Sequence, residues 1–120
     1  MEVSEHVLRA VFNALGSHGV LLEGMLLKPA MVLPGKDARM QPSAEEVAEA
    51  TIRCLLRTVP AAVPGIAFLS GGQASELASV RLNAINLAAG FDMPWALTFS
   101  FSRARQQSAL ERWSGNRANA

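Results

Sequence analysis

The chain has 120 residues, of which half are apolar and 18% are charged, with a formal net charge of +1. This composition excludes a disordered chain, because enough apolar surface is present to build a core, and it provides no basic field for nucleic acid. The length suits one small domain, and we expect no second domain, linker or internal repeat within residues 1–120.

The amino terminus and the single cysteine bear on the cellular compartment. Residues 1–6 lack the basic and then apolar pattern of a signal peptide, and no apolar run approaches the ~20 residues of a membrane span. Cys54 has no partner for an internal disulfide, which is typical of a reducing compartment. We therefore expect a cytoplasmic protein that binds neither membrane nor nucleic acid, with Cys54 buried as a small hydrophobe.

A helix and a strand are predicted in the first 29 residues. Apolar residues recur at helical spacing from Val7 to Leu15, and Gly16–Gly19 then breaks the helix. The apolar run from Val20 to Lys28 predicts a buried strand. Pro29 ends this strand, because proline has no amide to donate to a ladder hydrogen bond.

A polar loop and a capped helix are predicted next. Pro34-Gly35 opens the loop. Ser43 and Glu46 have the spacing of a capping box, in which the hydroxyl and the carboxylate each accept a hydrogen bond from an otherwise unpaired amide. The helix is therefore expected to run from Ser43 to about Thr58.

Two further strands and two further helices complete the pattern. Ile66–Leu69 and Trp95–Ser100 are short apolar runs that predict strands, and helices are expected over about Ser75–Leu87 and Arg103–Trp113. The apolar residues expected on one side of the first of these helices are Leu77, Val80, Ala84 and Leu87.

Strands that are apolar on both faces and alternate with helices predict a parallel sheet covered by helices. Three strands and four helices are about half of a closed eight-stranded barrel. We therefore predict an α/β fold, a partial (β/α)8 TIM barrel in which neighbouring parallel strands are joined by right-handed crossovers. Helices should cover one face of the sheet, and the other face should form the barrel interior.

Lys28 is the candidate nucleophile. It follows the first apolar run, and the carboxyl ends of strands form the reactive face of an α/β barrel, where an amine can point into a pocket. The alternative is a solvated surface charge, the commoner fate of a lysine at a strand end. Glu23 would face the opposite side of a regular strand from Lys28, which favours a polar contact over a role as catalytic base.

Two loops after the later strands carry anion-binding chemistry. Ser70-Gly71-Gly72 precedes a helix, where glycines let the backbone approach an anion and the first helical amides point outward. Ser100 and Arg103 repeat the arrangement after the third strand, with an arginine able to hold phosphate oxygens bidentately. The alternative for each loop is a tight turn that binds nothing. Barrels often bind phosphate after their last two strands, which favours a phosphate site.

The remaining chemistry-bearing residues favour packing roles. His6 and His18 lack a second ligand at metal spacing, so no metal site is expected. The residues expected to pack are the methionines Met25, Met31, Met40 and Met93 and the tryptophans Trp95 and Trp113.

Several long motifs occur in order along the chain. They are VLLEGMLLKP at 20–29, RTVP at 57–60, GIAFLSGGQ at 65–73, LNAIN at 82–86 and PWALTFS at 94–100. Together they resemble class I fructose-bisphosphate aldolase, from its Schiff-base signature onward, over nearly the whole chain. The resemblance implies the carboxyl-terminal part of a TIM barrel, with about its last three strands.

The resemblance also implies a reaction and a set of site residues. Lys28 matches the lysine that forms an iminium with fructose 1,6-bisphosphate, and the family uses neither metal nor other cofactor. A sugar phosphate substrate, a place in glycolysis or gluconeogenesis and a homotetramer are expected of the full-length family. The residues matched to phosphate binding are Ser70, Gly71, Gly72, Ser100 and Arg103.

The resemblance places other catalytic groups outside these 120 residues. In the family the lysine strand is the sixth, the first five strands carry the acid/base glutamate with an aspartate and two further lysines, and a carboxyl-terminal tail follows. We therefore expect cleavage only when the rest of the barrel is supplied. The alternative is a non-catalytic remnant that acts as a binding or interaction module, or the product of a broken gene.

Three positions depart from the family's pattern. Ala30 replaces asparagine or serine, Ser102 replaces a glycine before Arg103, and Arg105 replaces a leucine. Ser102 bears on phosphate binding, because its side chain occupies a place where backbone could closely approach the ligand. Apart from Arg103, the arginines of the last helix and tail are expected to form a solvated face, and these are Arg105, Arg112 and Arg117.

Overall fold

The computed structural model describes residues 1–35 and 40–119, within which four α-helices alternate with three strands. The helices are α1 (Glu2–Ser17), α2 (Ala44–Thr58), α3 (Ser75–Ala89) and α4 (Arg103–Trp113). The strands are β1 (Leu26–Leu27), β2 (Gly65–Leu69) and β3 (Ala96–Ser100). Short 3-10 turns lie at Leu22–Gly24 and Arg117–Asn119. Residues 36–39 of the predicted polar loop lie outside the described residues.

The three strands form one parallel sheet in the order β1-β2-β3. β2 and β3 pair along their whole length, with Phe68 opposite Phe99, whereas β1 pairs with β2 through Leu26 and Leu27 alone. The predicted α/β class and the neighbouring parallel strands are therefore confirmed.

One face of the sheet carries the core, and the other face is open. Ile66 and Phe68 are fully buried in a cluster that includes Leu55 of α2 and Ile85 of α3. On the open face Leu26 is 67% exposed. Successive strand residues point to opposite faces, so this contrast follows from helices covering one side only, as predicted.

The predicted strand over Val20–Lys28 is wrong for most of its length. Residues 22–24 form a 3-10 turn, in which the amides of Gly24 and Met25 donate to the carbonyls of Leu21 and Leu22 at 3.1 and 3.3 Å. Leu26 pairs with Gly65, the first residue of β2, and Pro64 before it has no amide to extend the ladder. The earlier apolar residues therefore have no strand to pair with.

The capping box at the start of α2 is present as predicted. The Glu46 amide donates to Ser43 Oγ at 3.2 Å, and the Ser43 amide donates to Glu46 Oε2 at 2.8 Å. The helix ends at Thr58, as expected. Buried Glu5 accepts hydrogen bonds from Arg57 at 2.9 Å and Arg9 at 3.3 Å, which ties α1 to α2.

Although Ala84 packs against the core, most of the apolar side predicted for α3 is not its buried side. Three of its residues, Leu77, Val80 and Leu87, are exposed. The residues buried against the core are Ala78, Arg81 and Ile85. Both sets recur at helical spacing, and the side that packs is set by the sheet rather than by the more apolar stripe.

Packing predictions for individual residues have mixed outcomes. Cys54 and Met31 are buried as expected, and buried Trp95 donates its indole N–H to the Pro60 carbonyl at 2.9 Å. Met40 and Trp113 are exposed, so their predicted packing is wrong. No helix in the described ranges is both long enough and apolar enough to span a membrane.

Candidate functional site

The three strands present their carboxyl ends at one edge of the sheet. Lys28 follows β1, Ser70 follows β2 and Ser100 ends β3. Leu69 at the end of β2 pairs with Ser100 and forms an isolated parallel bridge with Ala30. The candidate lysine and both candidate anion loops therefore reach the same edge.

Lys28 lies on the open side of the sheet. Leu27 is buried towards the helices, so the alternation of side chains places Leu26 and Lys28 on the opposite side, and the Lys28 side chain is exposed. The Leu69 amide donates to the Pro29 carbonyl at 2.9 Å, which holds the backbone just after the lysine. The lysine is thus placed by backbone pairing and faces solvent.

Glu23 does not lie in a strand, contrary to the prediction. It lies in the 3-10 turn Leu22–Gly24 and is exposed. The expectation that it faces away from Lys28 across a regular strand does not apply, because that segment is not a strand.

The turn Ser70–Gln73 carries two glycines in the left-handed backbone region. Gly71 and Gly72 have φ angles of +63° and +79°, and a Cβ on either would meet nothing within 4 Å, so conformation rather than space calls for glycine. The Gln73 amide donates to the Ser70 carbonyl at 3.1 Å and closes the turn. α3 then begins without a side-chain cap, which leaves its first amides available to an anion.

The side chain of Gln73 fastens this turn from within. Its Nε2 donates to the Ser70 carbonyl at 2.7 Å and lies 3.7 Å from the Met31 sulfur, and its Oε1 accepts from Arg81 Nη1 at 2.7 Å. The sequence analysis missed both Gln73 and Arg81. The signal for Arg81 is its spacing from Ala78 and Ile85, three residues after the first and four before the second, which places it on their face of α3.

The second candidate loop leads into α4 through Ser102. This residue is exposed, makes no side-chain cap hydrogen bond and has φ −77° and ψ −71°. These angles are open to any L-residue, so serine in place of glycine causes no backbone strain here. Arg103 begins the helix.

A cleft of about 650 Å³ lies between the starts of α3 and α4. It is lined by three of the predicted phosphate residues, Ser70, Gly72 and Arg103. Lys28, Gly71 and Ser100 do not line it. Further side chains on its wall are Gln73, Glu76, Arg105 and Glu111.

Arg105 is exposed, as expected for a solvated helix face, and it also contacts an aromatic ring. Its guanidinium carbon lies 5.6 Å from the centre of the Phe99 ring, a cation–π distance, and the residue also lines the cleft. Two guanidinium groups, those of Arg103 and Arg105, therefore border the cleft together with the carboxylates of Glu76 and Glu111, and the guanidinium groups are the part of its wall able to bind an anion.

Cys54 lies outside this site. Burial in the core raises the pKa of its thiol, and the nearby Glu5 carboxylate raises it further. A protonated buried thiol is a packing group rather than a nucleophile. No group of three or more potential metal ligands occurs in residues 1–35 and 40–119.

Comparison with known proteins places the chain in a family. The family model described as glycolytic fructose-bisphosphate aldolase class-I matches residues 1–120. Fructose-bisphosphate aldolase C of Rattus norvegicus is 58% identical over 118 residues, which cover 98% of this chain and 32% of that protein. The cytoplasmic isozyme of fructose-bisphosphate aldolase from Cicer arietinum has the same identity and coverage.

A solved structure agrees with these sequence matches. It is a ternary co-crystal structure of fructose-bisphosphate aldolase from Plasmodium falciparum in complex with TRAP and a small molecule inhibitor. It superimposes with a TM-score of 0.90 at 51% identity, covering 98% of this chain and 33% of that one. The chain thus spans about a third of the length of the relatives it matches. It belongs to the class I fructose-bisphosphate aldolase family.

Proposed function

We propose that this chain supplies the carboxyl-terminal part of a single class I aldolase barrel domain. Joined to the rest of the barrel, it acts as a carbon–carbon lyase that cleaves fructose 1,6-bisphosphate in glycolysis and forms it in gluconeogenesis. The observation that carries the proposal is the common sheet edge shared by Lys28, the turn Ser70–Gln73 and the start of α4.

Lys28 is the nucleophile in this proposal. Its neutral amine adds to the ketone of the substrate, and loss of water gives an iminium. The general base in the rest of the barrel takes the proton of the C4 hydroxyl, and the iminium accepts the electron pair of the C3–C4 bond as that bond breaks. Glyceraldehyde 3-phosphate leaves first. Protonation of the enamine and hydrolysis of the imine then release dihydroxyacetone phosphate and the free lysine.

Substrate phosphate binds at the cleft and at the adjoining ends of β2 and β3 in this proposal, since Gly71 and Ser100 do not line the cleft itself. Amides of Gly71 and Gly72 and the hydroxyls of Ser70 and Ser100 donate to phosphate oxygens, and Arg103 binds them through its guanidinium. The uncapped start of α3 supports this assignment, because an anion is favoured at a helix amino terminus. Phosphate binding would hold the ketone near the lysine.

The 120 residues alone are not expected to turn over substrate. Lys28 is exposed on the open face, so no wall excludes water from its amine. The acid/base glutamate expected in the family has no counterpart here. The remaining strands of the barrel would supply both.

The proposal extends to the compartment and the assembly of the completed enzyme. The Cicer arietinum relative is named a cytoplasmic isozyme, which supports a cytoplasmic location for this chain. The homotetramer expected of the full-length family is proposed for the completed enzyme, with a sugar phosphate as its only ligand and no cofactor. Light scattering of that enzyme would test the tetramer.

Borohydride trapping tests the catalytic assignment. The chain is mixed with a polypeptide that carries the first five strands of a family member, then with dihydroxyacetone phosphate and borohydride, and the labelled peptide is mapped by mass spectrometry. We expect the label on Lys28, and Lys28→Arg should remove it. Labelling of Lys36, which lies outside the described residues, would contradict the assignment, and no labelling with any partner would favour the non-catalytic alternative.

Titration with dihydroxyacetone phosphate tests the phosphate assignment separately. In the ¹⁵N-labelled chain, the amides of residues 70–73 and 100–103 should shift more than those of α1 and α2. Arg103→Ala should weaken the effect, whereas Arg112→Ala, an exposed arginine of the same helix, should not. Equal shifts over the whole chain would argue against a site.

A further inference from the structure

Arg81 is a buried cation without a carboxylate partner in the described structure. It is 4% exposed, and none of the three ion pairs among residues 1–35 and 40–119 involves it. Its Nε has no hydrogen-bond partner among these residues. Burying a guanidinium costs free energy unless its N–H groups are satisfied, so the one side-chain hydrogen bond that Arg81 makes among the described residues matters.

That contact fixes which way the Gln73 amide points. A guanidinium has donors and no acceptor, so the oxygen of the amide must face Arg81, which is what the 2.7 Å distance from Nη1 to Oε1 shows. The amide nitrogen is thereby directed at the Ser70 carbonyl, 2.7 Å away. If the amide turned over, its nitrogen would meet the guanidinium and its oxygen would meet the carbonyl, and both contacts are repulsive.

The turn that Gln73 fastens has little else to hold it. A Cβ on Gly71 or Gly72 would touch nothing within 4 Å, so no packing restrains these two residues. The Ser70 carbonyl receives two hydrogen bonds, and both come from Gln73, from its backbone amide and its side chain. The same side chain contacts Met31 in the segment that follows Lys28.

We propose that Arg81 is a positioning residue that acts through Gln73 to hold the turn Ser70–Gln73 in the shape that binds phosphate. This role rests on the proposed function of the turn. Arg81 does not line the cleft, so it touches no substrate. Its effect on binding passes through the orientation of one amide.

The experiment compares Arg81→Met with Arg53→Met in the ¹⁵N-labelled 120-residue chain. Arg53 is the matched control, because it is an exposed arginine on α2 whose partner is Glu49. Hydrogen exchange of the Gln73 amide reports on the turn without ligand, and titration with inorganic phosphate reports on binding. Since hydrogen bonds to charged groups are the stronger class, we expect Arg81→Met to speed this exchange about tenfold and to weaken phosphate binding about three- to tenfold. Arg53→Met should change neither.

A double variant distinguishes an effect of Arg81 through the Gln73 amide from a loss of packing. Gln73→Leu removes the side-chain amide that Arg81 orients. Adding Arg81→Met to this variant should therefore not speed hydrogen exchange at the backbone amide of residue 73 any further. If the two substitutions speed this hydrogen exchange additively, the proposal is wrong. It is also wrong if the exchange rate in Arg81→Met equals that in Arg53→Met. Arg81→Lys, which keeps one donor, should recover part of the protection.

Two further outcomes keep the inference and the proposed function apart. Faster turn exchange in Arg81→Met, together with no phosphate binding by the unchanged chain, would support the positioning role and contradict the phosphate assignment. If Arg81→Met does not fold, Gln73→Glu decides: glutamate still offers Arg81 an acceptor but brings no donor to Ser70, so unchanged exchange would overturn the proposal.

Discussion

The anion cleft and Lys28 reach the same edge of one sheet, yet they differ in where their contacts come from. The turn Ser70–Gln73 is held by hydrogen bonds within β2, α3 and the loop between them. Lys28 has its backbone placed by the neighbouring strand, while its side chain is exposed. The shape of the turn Ser70–Gln73 is therefore set by nearby residues, whereas the Lys28 side chain lies open to solvent.

The two faces of the sheet show the same difference. Ile66 and Phe68 are fully buried against the helices, and Leu26 is exposed on the other side. The face of the sheet that packs against the helices has a buried core, which stabilises the fold. The opposite face, on which Lys28 lies, has no covering layer in the described structure.

The largest expected effect concerns turnover. The chain alone should cleave fructose 1,6-bisphosphate at least about 10²-fold more slowly than the chain complemented by the first five strands, because general acid/base catalysis contributes roughly 10²- to 10⁴-fold. A coupled assay for glyceraldehyde 3-phosphate measures the ratio. Phosphate binding at the cleft should survive in the chain alone, and rapid cleavage by that chain would break the contrast between the two regions.

Substitutions on the two faces of the sheet give the next effect. Phe68→Ala should lower the free energy of unfolding by about 3–5 kcal/mol, because a buried aromatic leaves a cavity. Leu26→Ala should change it by less than about 0.5 kcal/mol, as expected for an exposed position. Urea unfolding followed by tryptophan fluorescence measures both. A large loss in Leu26→Ala would mean that the open face is covered in solution.

Two glycines test whether the anion turn carries a conformational requirement. Gly72→Ala should cost about 1–2 kcal/mol, because φ at this position is +79° and the left-handed region disfavours a side chain. Gly16→Ala should instead stabilise by up to about 1 kcal/mol, because Gly16 lies in α1 with open space around it. Thermal unfolding compares them. A neutral Gly72→Ala would show that the turn can relax without its left-handed glycine.

The smallest expected effect is a dependence of stability on pH, which comes from the thiol of Cys54 in the buried core. Burial raises its thiol pKa, so the folded chain holds this proton more tightly than the unfolded chain does. The resulting stability is fully present below the ordinary thiol pKa of about 8.5 and is lost as pH rises through the raised value. Urea unfolding at pH 7 and at higher pH should show this loss in the unchanged chain. If Cys54→Ala shows the same loss, another group is responsible.

Local patterns predicted the fold well where the local chain decides the structure. The capping box at Ser43 and Glu46 formed because its two hydrogen bonds lie within one helical turn. β2 is a short apolar run between Pro64 and the glycines after Ser70, and β3 is a short apolar run after Pro94. The structure has both strands within a residue of their predicted bounds.

Predictions failed where distant pairing decides. The run Val20–Lys28 is apolar enough for a strand, but β2 offers partners only from Gly65 onward. Arg81 is buried because of where α3 meets the sheet. Its spacing puts it on the same face as Ala78 and Ile85, but an arginine is seldom expected to be buried. The chemistry of the two loops and the resemblance both predicted the phosphate residues, and the structure adds that Ser70, Gly72 and Arg103 border one cleft.

The stability cost of replacing Gly65 by alanine should depend on whether the barrel is closed. A Cβ at this position would lie 3.0 Å from the Leu26 side chain, a contact that Leu26 must relieve by moving. In this chain Leu26 is exposed and has room to rotate away. In a closed barrel the same side chain would be packed by its neighbours, and overpacking a core costs about 1–3 kcal/mol. Gly65→Ala should therefore leave the stability of the open sheet unchanged and should destabilise a closed barrel. The stability change caused by this substitution thus indicates whether the barrel has closed.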